Sequence, residues 1–205
     1  MLDHLVYAAP DLEVATSGLE RRLGFRPDYG GKHAGGLTHN AILSLGQGSY
    51  LEIIAPVPGA EALASSLPFG LGSLTAPRLV TWAAAPPDLE RRVESARAAG
   101  YDPGEIITSG RDLPDGRKLS WRVAVRPEAG GDGLVPFLVE WTTQSHPSAT
   151  APKGCRFVSL TAEHPEPENV LVMLKALGVE LSVSKGRTPR LIATLDAPNG
   201  TVELS

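Results

Sequence analysis

A single cysteine, Cys155, is all the thiol chemistry this chain carries, so no intramolecular disulfide can form and a reducing compartment is expected. Cys155 opens an apolar run, which reads as a buried structural thiol rather than a nucleophile. Positive charge is not in excess either: the formal net charge is −4, and no basic cluster is interleaved with aromatics. Nucleic acid and anionic lipid are therefore not expected partners. No apolar run approaches the roughly 18 residues of a membrane helix, so no membrane partner is expected. The start, MLDHLVYAAPDLE, lacks the basic residues and long apolar core of a secretory signal, so a cytoplasmic location is expected. The G-x-S-x-G elbow, the H-E-x-x-H helix and paired C-x-x-C motifs are all missing, which removes the usual hydrolase and zinc-protease readings. The cluster Gly30-Gly31…Gly35-Gly36 has neither the order nor the following helix of a phosphate loop.

What the 205 residues do contain is an ordinary globular composition, 42% hydrophobic and 20% charged, and an internal repeat. Residues 2–9 form a short apolar run, and Pro10-Asp11 open a helical stretch with Leu12, Ala15, Leu19 and Leu23 on one face and Gly24 as its C-cap. A loose Gly-rich segment follows. Two strands, Ala41–Leu45 and Tyr50–Ile54, are then joined by Gly46-Gln47-Gly48-Ser49. The order recurs with residues 78–85 as a strand, a helix opened by Pro87-Asp88 and closed by Gly100, and strands at 105–108, 118–125 and 134–142. Laying Pro10-Asp11-Leu12-Glu13 on Pro87-Asp88-Leu89-Glu90 gives an offset of 77, which sets Thr81 where His4 stands. SYLEIIAP and PFLVEWTT then bring Glu140 opposite Glu52.

A third, shorter copy follows the Pro/Ser/Thr-rich link Thr143–Gly154, with a strand at 155–162, a helix capped by Gly178, and strands Val179–Ser184, Leu191–Leu195 and Thr201–Leu204. Its Ser159 and Glu203 match His4 and Glu52, but this pair is read as a structural position. The expected organisation is α+β: paired βαβββ modules (about 1–58 and 77–142) as a cupped mixed sheet with helices outside, a link at 143–154, and a third module at 155–205. One such unit cannot bury both its helix face and its sheet face alone, so the modules must pair. The third packs on them or makes a homodimer.

LDHLVYAAPDLE, GLTHNAILSLGQGSYLEIIAP and PFLVEWTTQSHPS, with His in a first strand and Glu in a fourth, resemble the glyoxalase-like domain proteins of bacteria, within the vicinal-oxygen-chelate superfamily. That resemblance implies a glyoxalase/dihydroxybiphenyl-dioxygenase-like fold whose paired modules bring four side chains into one cavity. Here those are His4, Glu52, Thr81 and Glu140. His4, Glu52 and Glu140 are candidate ligands for Zn, Mn, Fe, Ni or Co; Thr81 is a poor ligand and departs from the full set. Glu52 and Glu140 are also the candidate catalytic carboxylates, since a displaceable carboxylate can act as a base. The implied function is a metal-dependent lyase/isomerase or dioxygenase acting on a small oxygenated molecule. The alternatives are a metal-free binder of an antibiotic-like compound and a regulatory partner with a vestigial cavity.

Thr81 and four further residues are candidate substrate contacts. His39 and Asn40 depend on hairpin register: a two-residue turn puts His39 on the face of Glu52, whereas a three-residue loop pairs Ile42 with Glu52 and puts Asn40 there. The second register gathers Leu43, Leu45, Leu51 and Ile53 into one apolar layer and is preferred. Trp121 and Arg122 lie in a module-two hairpin with Arg111, where a strand arginine suits a substrate carboxylate or phosphate. Trp82 and Trp141 read as core or cavity wall. His33 in GGKHAGG reads as a loop residue of a possible lid, His146 as a linker residue and His164 as a turn.

Overall fold

The computed structural model describes residues 1–126, 130–143 and 145–205; Gln144, within the expected link, lies outside them. The first module runs β1 (Leu2–Ala8), α1 (Leu12–Leu23), β2 (Asp28–His33), β3 (Thr38–Gly46) and β4 (Ser49–Pro56). Asp11 starts α1 by accepting a hydrogen bond from the Val14 amide at 2.8 Å, and Gly24 ends it at φ 91°. The second module repeats this with β5 (Arg78–Ala84), α2 (Leu89–Ala98), β6 (Ile106–Asp112), β7 (Lys118–Ala124) and β8 (Phe137–Trp141). Asp88 caps α2 in the same way, accepting from the Arg91 amide at 3.0 Å.

The eight strands close into a barrel in the order β1-β4-β3-β2-β6-β7-β8-β5. Within each module the first and fourth strands pair in parallel, and the modules meet along antiparallel β1–β5 and β2–β6 seams. The 77-residue offset appears in the first seam as two reciprocal pairs, His4 with Ala83 and Val6 with Thr81. Strand alternation divides the side chains. Leu5, Tyr7, Leu43, Leu51, Ile53, Trp82, Ala84 and Leu138 face outward and form one buried core with Leu12, Leu19 and Leu23 of α1 and Leu89, Val93 and Ala96 of α2. The inward faces are left for the site.

The Gly-rich segment expected to be loose is in fact β2. It is bulged between Tyr29 and Gly31, and the bulge has a packing cause: a Cβ on Gly30 would stand 2.4 Å from Asn40 Oδ1 and 2.8 Å from Arg111 Nη1. Glycine there lets two inward polar side chains reach the backbone.

The last segment comprises β9 (Arg156–His164), α4 (Pro167–Leu177), β10 (Ser182–Lys185), β11 (Arg190–Ala197) and β12 (Gly200–Leu204). Its chain order matches the other modules but its neighbours do not, because the sheet runs β10-β9-β11-β12. The crossover through α4 returns directly beside β9, so β10 rather than β12 is its parallel partner. Glu203 thus stands on an edge strand, exposed, and has no correspondence to Glu52. Val170, Leu174, Leu177, Leu191 and Leu195 enter the same core as α1 and α2. The link holds a short helix, α3 (Pro147–Thr150), and the Ser44 amide donates to the Pro152 carbonyl at 2.9 Å. Cys155 is buried, and burial, with nearby Asp196, pushes its thiol up to about 11, as suits an inert core residue.

Candidate active site

The barrel encloses a cavity of about 320 Å³ between its two halves. Its polar pole consists of His4 from β1, His33 from the end of β2, Glu52 from β4 and Arg111 from β6, and its walls include Tyr50, Phe69, Trp121, Phe137 and Trp141. The register pairs Ile42 with Glu52, which sends Asn40 inward beside it. Asn40 Nδ2 donates to Glu52 Oε1 at 2.5 Å, and Arg111 Nη1 donates to Asn40 Oδ1 at 2.8 Å. Since a guanidinium has no acceptor, Asn40 must turn its oxygen to Arg111 and its amino group to Glu52. His33 Nε2 lies 3.2 Å from Glu52 Oε1, and His4 Nε2 lies 3.7 Å from Oε2. Burial disfavours the Glu52 carboxylate, but the hydrogen bond and charge of His33, the charge of His4 and the Asn40 hydrogen bond outweigh it and bring its pKa down to about 2. Glu52 is a carboxylate throughout the neutral range.

His4 is held from behind. Its Nδ1 lies 2.6 Å from Asp3 Oδ1, while Asp3 Oδ2 accepts from Trp141 Nε1 at 3.0 Å and faces His146 Nε2 at 3.1 Å. Burial opposes the Asp3 charge, yet hydrogen bonds from His146 and His4, and their charge, keep its pKa well below the ordinary value. An ionised Asp3 can only accept, so in the neutral form of His4 the proton sits on Nδ1 and the Nε2 lone pair faces the cavity. Tyr50 stacks on the imidazole with ring centroids 4.7 Å apart, which sets its plane.

Of the expected residues, the structure brings His4, Glu52, Asn40 and Trp121 together in or directly behind this cavity. Thr81 is buried but lines an adjoining cavity of about 670 Å³ that shares Phe69 and Phe137 with the first. His39 lies on the other face of β3, its ring against Tyr29 at 6.0 Å. Glu140 requires correction: it lies on the outer face of the barrel, where it and Glu90 of α2 both pair with Arg122. The pairing explains why. Val6 is opposite Glu52 in the first module, its counterpart Ala83 is opposite Phe137, and Phe137 therefore occupies the place of Glu52. A three-residue slip is odd and reverses the face. Arg122 stands directly opposite Glu140 on β7 and so shares its outward face, and the inward arginine is Arg111. His33 and Asp3 were not candidates. No periodicity marks His33 among its glycines, although its hairpin position opposite Thr38 gives a 2.9 Å contact to Thr38 Oγ1.

The positions implied for a metal are thus His4, Glu52, Thr81 and Phe137, of which the last carries no ligand atom and Thr81 a weak one. His33 adds a nitrogen, but among the described residues no group of three or more His, Cys, Asp or Glu side chains is disposed to share an ion. Of the four implied positions, only His4 and Glu52 carry good ligand atoms.

The glyoxalase-like domain family matches residues 2–178, and the chain belongs to that family. Its fold is that of the vicinal-oxygen-chelate superfamily. Among solved structures, a hypothetical protein from Staphylococcus aureus is similar at 13% identity and a TM-score of 0.63, over 98% of this chain and 83% of that one. A variant of 4-hydroxymandelate synthase from Streptomyces coelicolor is similar at 14% identity and a TM-score of 0.50, over 99% of this chain and 61% of the other. Methylmalonyl-CoA epimerase from Mycobacterium tuberculosis shares 19% identity at a TM-score of 0.45, over 70% and 89% of the chains. At these identities the likeness concerns the fold alone. No curated protein sequence matches the chain. Among the described residues no helix is long and apolar enough to cross a membrane.

Proposed function

We propose that this protein is a lyase or isomerase that moves a proton on a small oxygenated molecule held in the barrel cavity, with His4 as the base. The observation that carries this reading is the Asp3–His4 pair at 2.6 Å, which aims a lone pair into a mostly apolar cavity. A carboxylate held at about 2 is a weak base, so Glu52 serves as the fixed negative charge that favours the imidazolium once His4 has taken a proton. His4 Nε2 removes a proton from carbon beside a carbonyl; the C–H electron pair forms a C=C bond and the carbonyl π pair moves onto oxygen. Delivery of that proton from the His4 imidazolium to a different carbon of the conjugated enolate completes an isomerisation; loss of a group from the next carbon completes an elimination.

The test is solvent exchange. In D2O, with EDTA present, a panel of small 2-oxo and 2-alkyl-3-oxo acids and ketones is followed by proton NMR. Protein-dependent loss of a C–H signal is expected for some members, abolished in His4→Asn, reduced about tenfold or more in Glu52→Gln, and unchanged in Glu140→Gln. Absence of exchange across the panel, or exchange indifferent to His4→Asn, overturns the proposal.

A second reading, a metal-free small-molecule binder, is favoured by the wall itself: five of the eleven Phe, Tyr and Trp residues line this one cavity. Thermal stabilisation by compounds that undergo no exchange would select it. Calorimetry with Zn, Mn, Fe, Ni and Co tests the donor-set argument. Only weak binding, insensitive to His4→Ala and Glu52→Ala, is expected; micromolar binding lost in both variants would restore the metal-dependent reading.

A further inference from the structure

Arg111 is 4% exposed, yet among the described residues its Nε and Nη2 have no hydrogen-bond partner. Only Nη1 is engaged, by Asn40. A buried cation with two idle donors is expensive to maintain unless something else completes it. The position is also built rather than incidental: Gly30 of β2 leaves room for this guanidinium, since a Cβ there would meet Nη1 at 2.8 Å and Cζ at 3.3 Å. Nε and Nη2 form the side of the guanidinium whose two N–H bonds run parallel, matching the two oxygens of one carboxylate.

We propose that Arg111 is the anchor for a carboxylate on the ligand of the barrel cavity. The inference rests on the reading of that cavity as a small-molecule site and adds the ligand class: a monocarboxylate with an apolar or aromatic body. Arg111 lines two cavities. The smaller, about 240 Å³, is also lined by Asp28, Asp115 and Arg117; Arg117 is already paired with Asp115 at 2.7 Å, and Asp28 disfavours an anion there. The larger places His4 and His33 near the anion and Trp121, Trp141 and Phe137 around the body. The two free donors are covered, so binding includes a small turn of the guanidinium toward the cavity it already lines. Asn40 then separates the bound carboxylate from Glu52, accepting from Arg111 on one side and donating to the glutamate on the other, so the two negative charges do not meet directly.

The test uses 4-fluorobenzoate and its neutral analogue 4-fluorobenzamide, followed by fluorine NMR and by the indole N–H signals of the full-length protein. The benzoate is expected to bind at least tenfold more tightly than the amide. It should shift the Trp121 and Trp141 indoles and leave Trp82, which donates to the Leu134 carbonyl outside the barrel, unmoved. Arg111→Met should erase the preference for the acid, and Arg111→Lys should keep part of it. Asn40→Ala, which keeps the cation, should retain the preference even if both affinities fall. If Arg111→Met fails to fold, the Lys and Ala variants still decide. Equal affinity for acid and amide in the wild-type protein, or an unaltered preference in Arg111→Met or Arg111→Lys, overturns the anchor while leaving the cavity reading intact. Binding of neither probe overturns it too. Benzoate binding that shifts no cavity tryptophan places the anion elsewhere and refutes the proposal.

Discussion

Two glutamates of similar sequence setting have opposite fates, and the difference is physical. Glu52 is 7% exposed and sits among His4, His33 and Asn40, whereas the side chain of Glu140 is about a third exposed and lies in a surface cluster with Arg122. Exposed ion pairs are worth about 0–1 kcal/mol, so Glu140→Ala should lower stability by no more than that and leave the cavity chemistry unaltered. Asn40→Leu removes a partner from both Arg111 and Glu52, and should cost about 2–3 kcal/mol in urea unfolding at neutral pH. The pH dependence has a definite sign. Glu52 titrates at 4.5 in the unfolded chain and at about 2 when folded. Its contribution is therefore present above pH 4.5 and fades as pH falls toward 2. Asp3 acts in the same direction, from its unfolded value of 3.8 downward. Urea unfolding of Glu52→Gln should show a shallower loss of stability between pH 4.5 and 2 than the wild type. An equal slope would show that Glu52 is not held ionised.

At the scale of elements, much was legible because local chemistry dictated it. Asp11 and Asp88 accept from the amides three residues on, as cap residues should, and the expected β3–β4 register turns Asn40 inward, although it is reached by a two-residue turn, Gln47-Gly48, with a bulge between Ser44 and Gly46 rather than by a three-residue loop. What escaped depended on contacts between distant strands. Glycine has low strand propensity, so β2 gave no local signal: its Gly30 answers to Asn40 and Arg111, far away in the chain. The β5–β8 register likewise cannot be read from the similarity of YLEIIA to FLVEWT, because it is fixed by pairing Ala83 with Phe137. The bulge makes a sharp prediction. Gly30→Ala must displace Asn40 or Arg111, whereas Gly35→Ala meets nothing within 4 Å and suffers only from its φ of 88°. Denaturant unfolding should show a loss of about 2–4 kcal/mol for Gly30→Ala against about 1 for Gly35→Ala. Gly30→Ala should also weaken benzoate binding. Equal losses would mean that β2 is not shaped by the polar line beneath it.

For the whole molecule, the decisive feature is that the last segment has no core of its own. Leu174 and Leu177 of α4 are 2% and 0% exposed and belong to the apolar cluster that contains α1, α2 and the outer face of the barrel. Arg92 of α2 adds a hydrogen bond to the Leu177 carbonyl at 3.3 Å. Burial shared in this way couples the segment to the barrel, so both should unfold in one transition. All three tryptophans lie in the barrel, in β5, β7 and β8. Their fluorescence therefore reports barrel unfolding, while far-UV circular dichroism averages over the whole chain. Leu177→Ala deletes a fully buried side chain from the shared cluster and should cost about 2–5 kcal/mol. The tryptophan and circular dichroism transitions should move together to lower urea with unchanged slopes. Were the segment an independent unit, tryptophan unfolding would stay at its wild-type midpoint and circular dichroism would split into two steps. Joint movement would instead mean that the cavity, formed by the first two modules and the segment that joins them, depends for its rigidity on a third segment that contributes no residue to it.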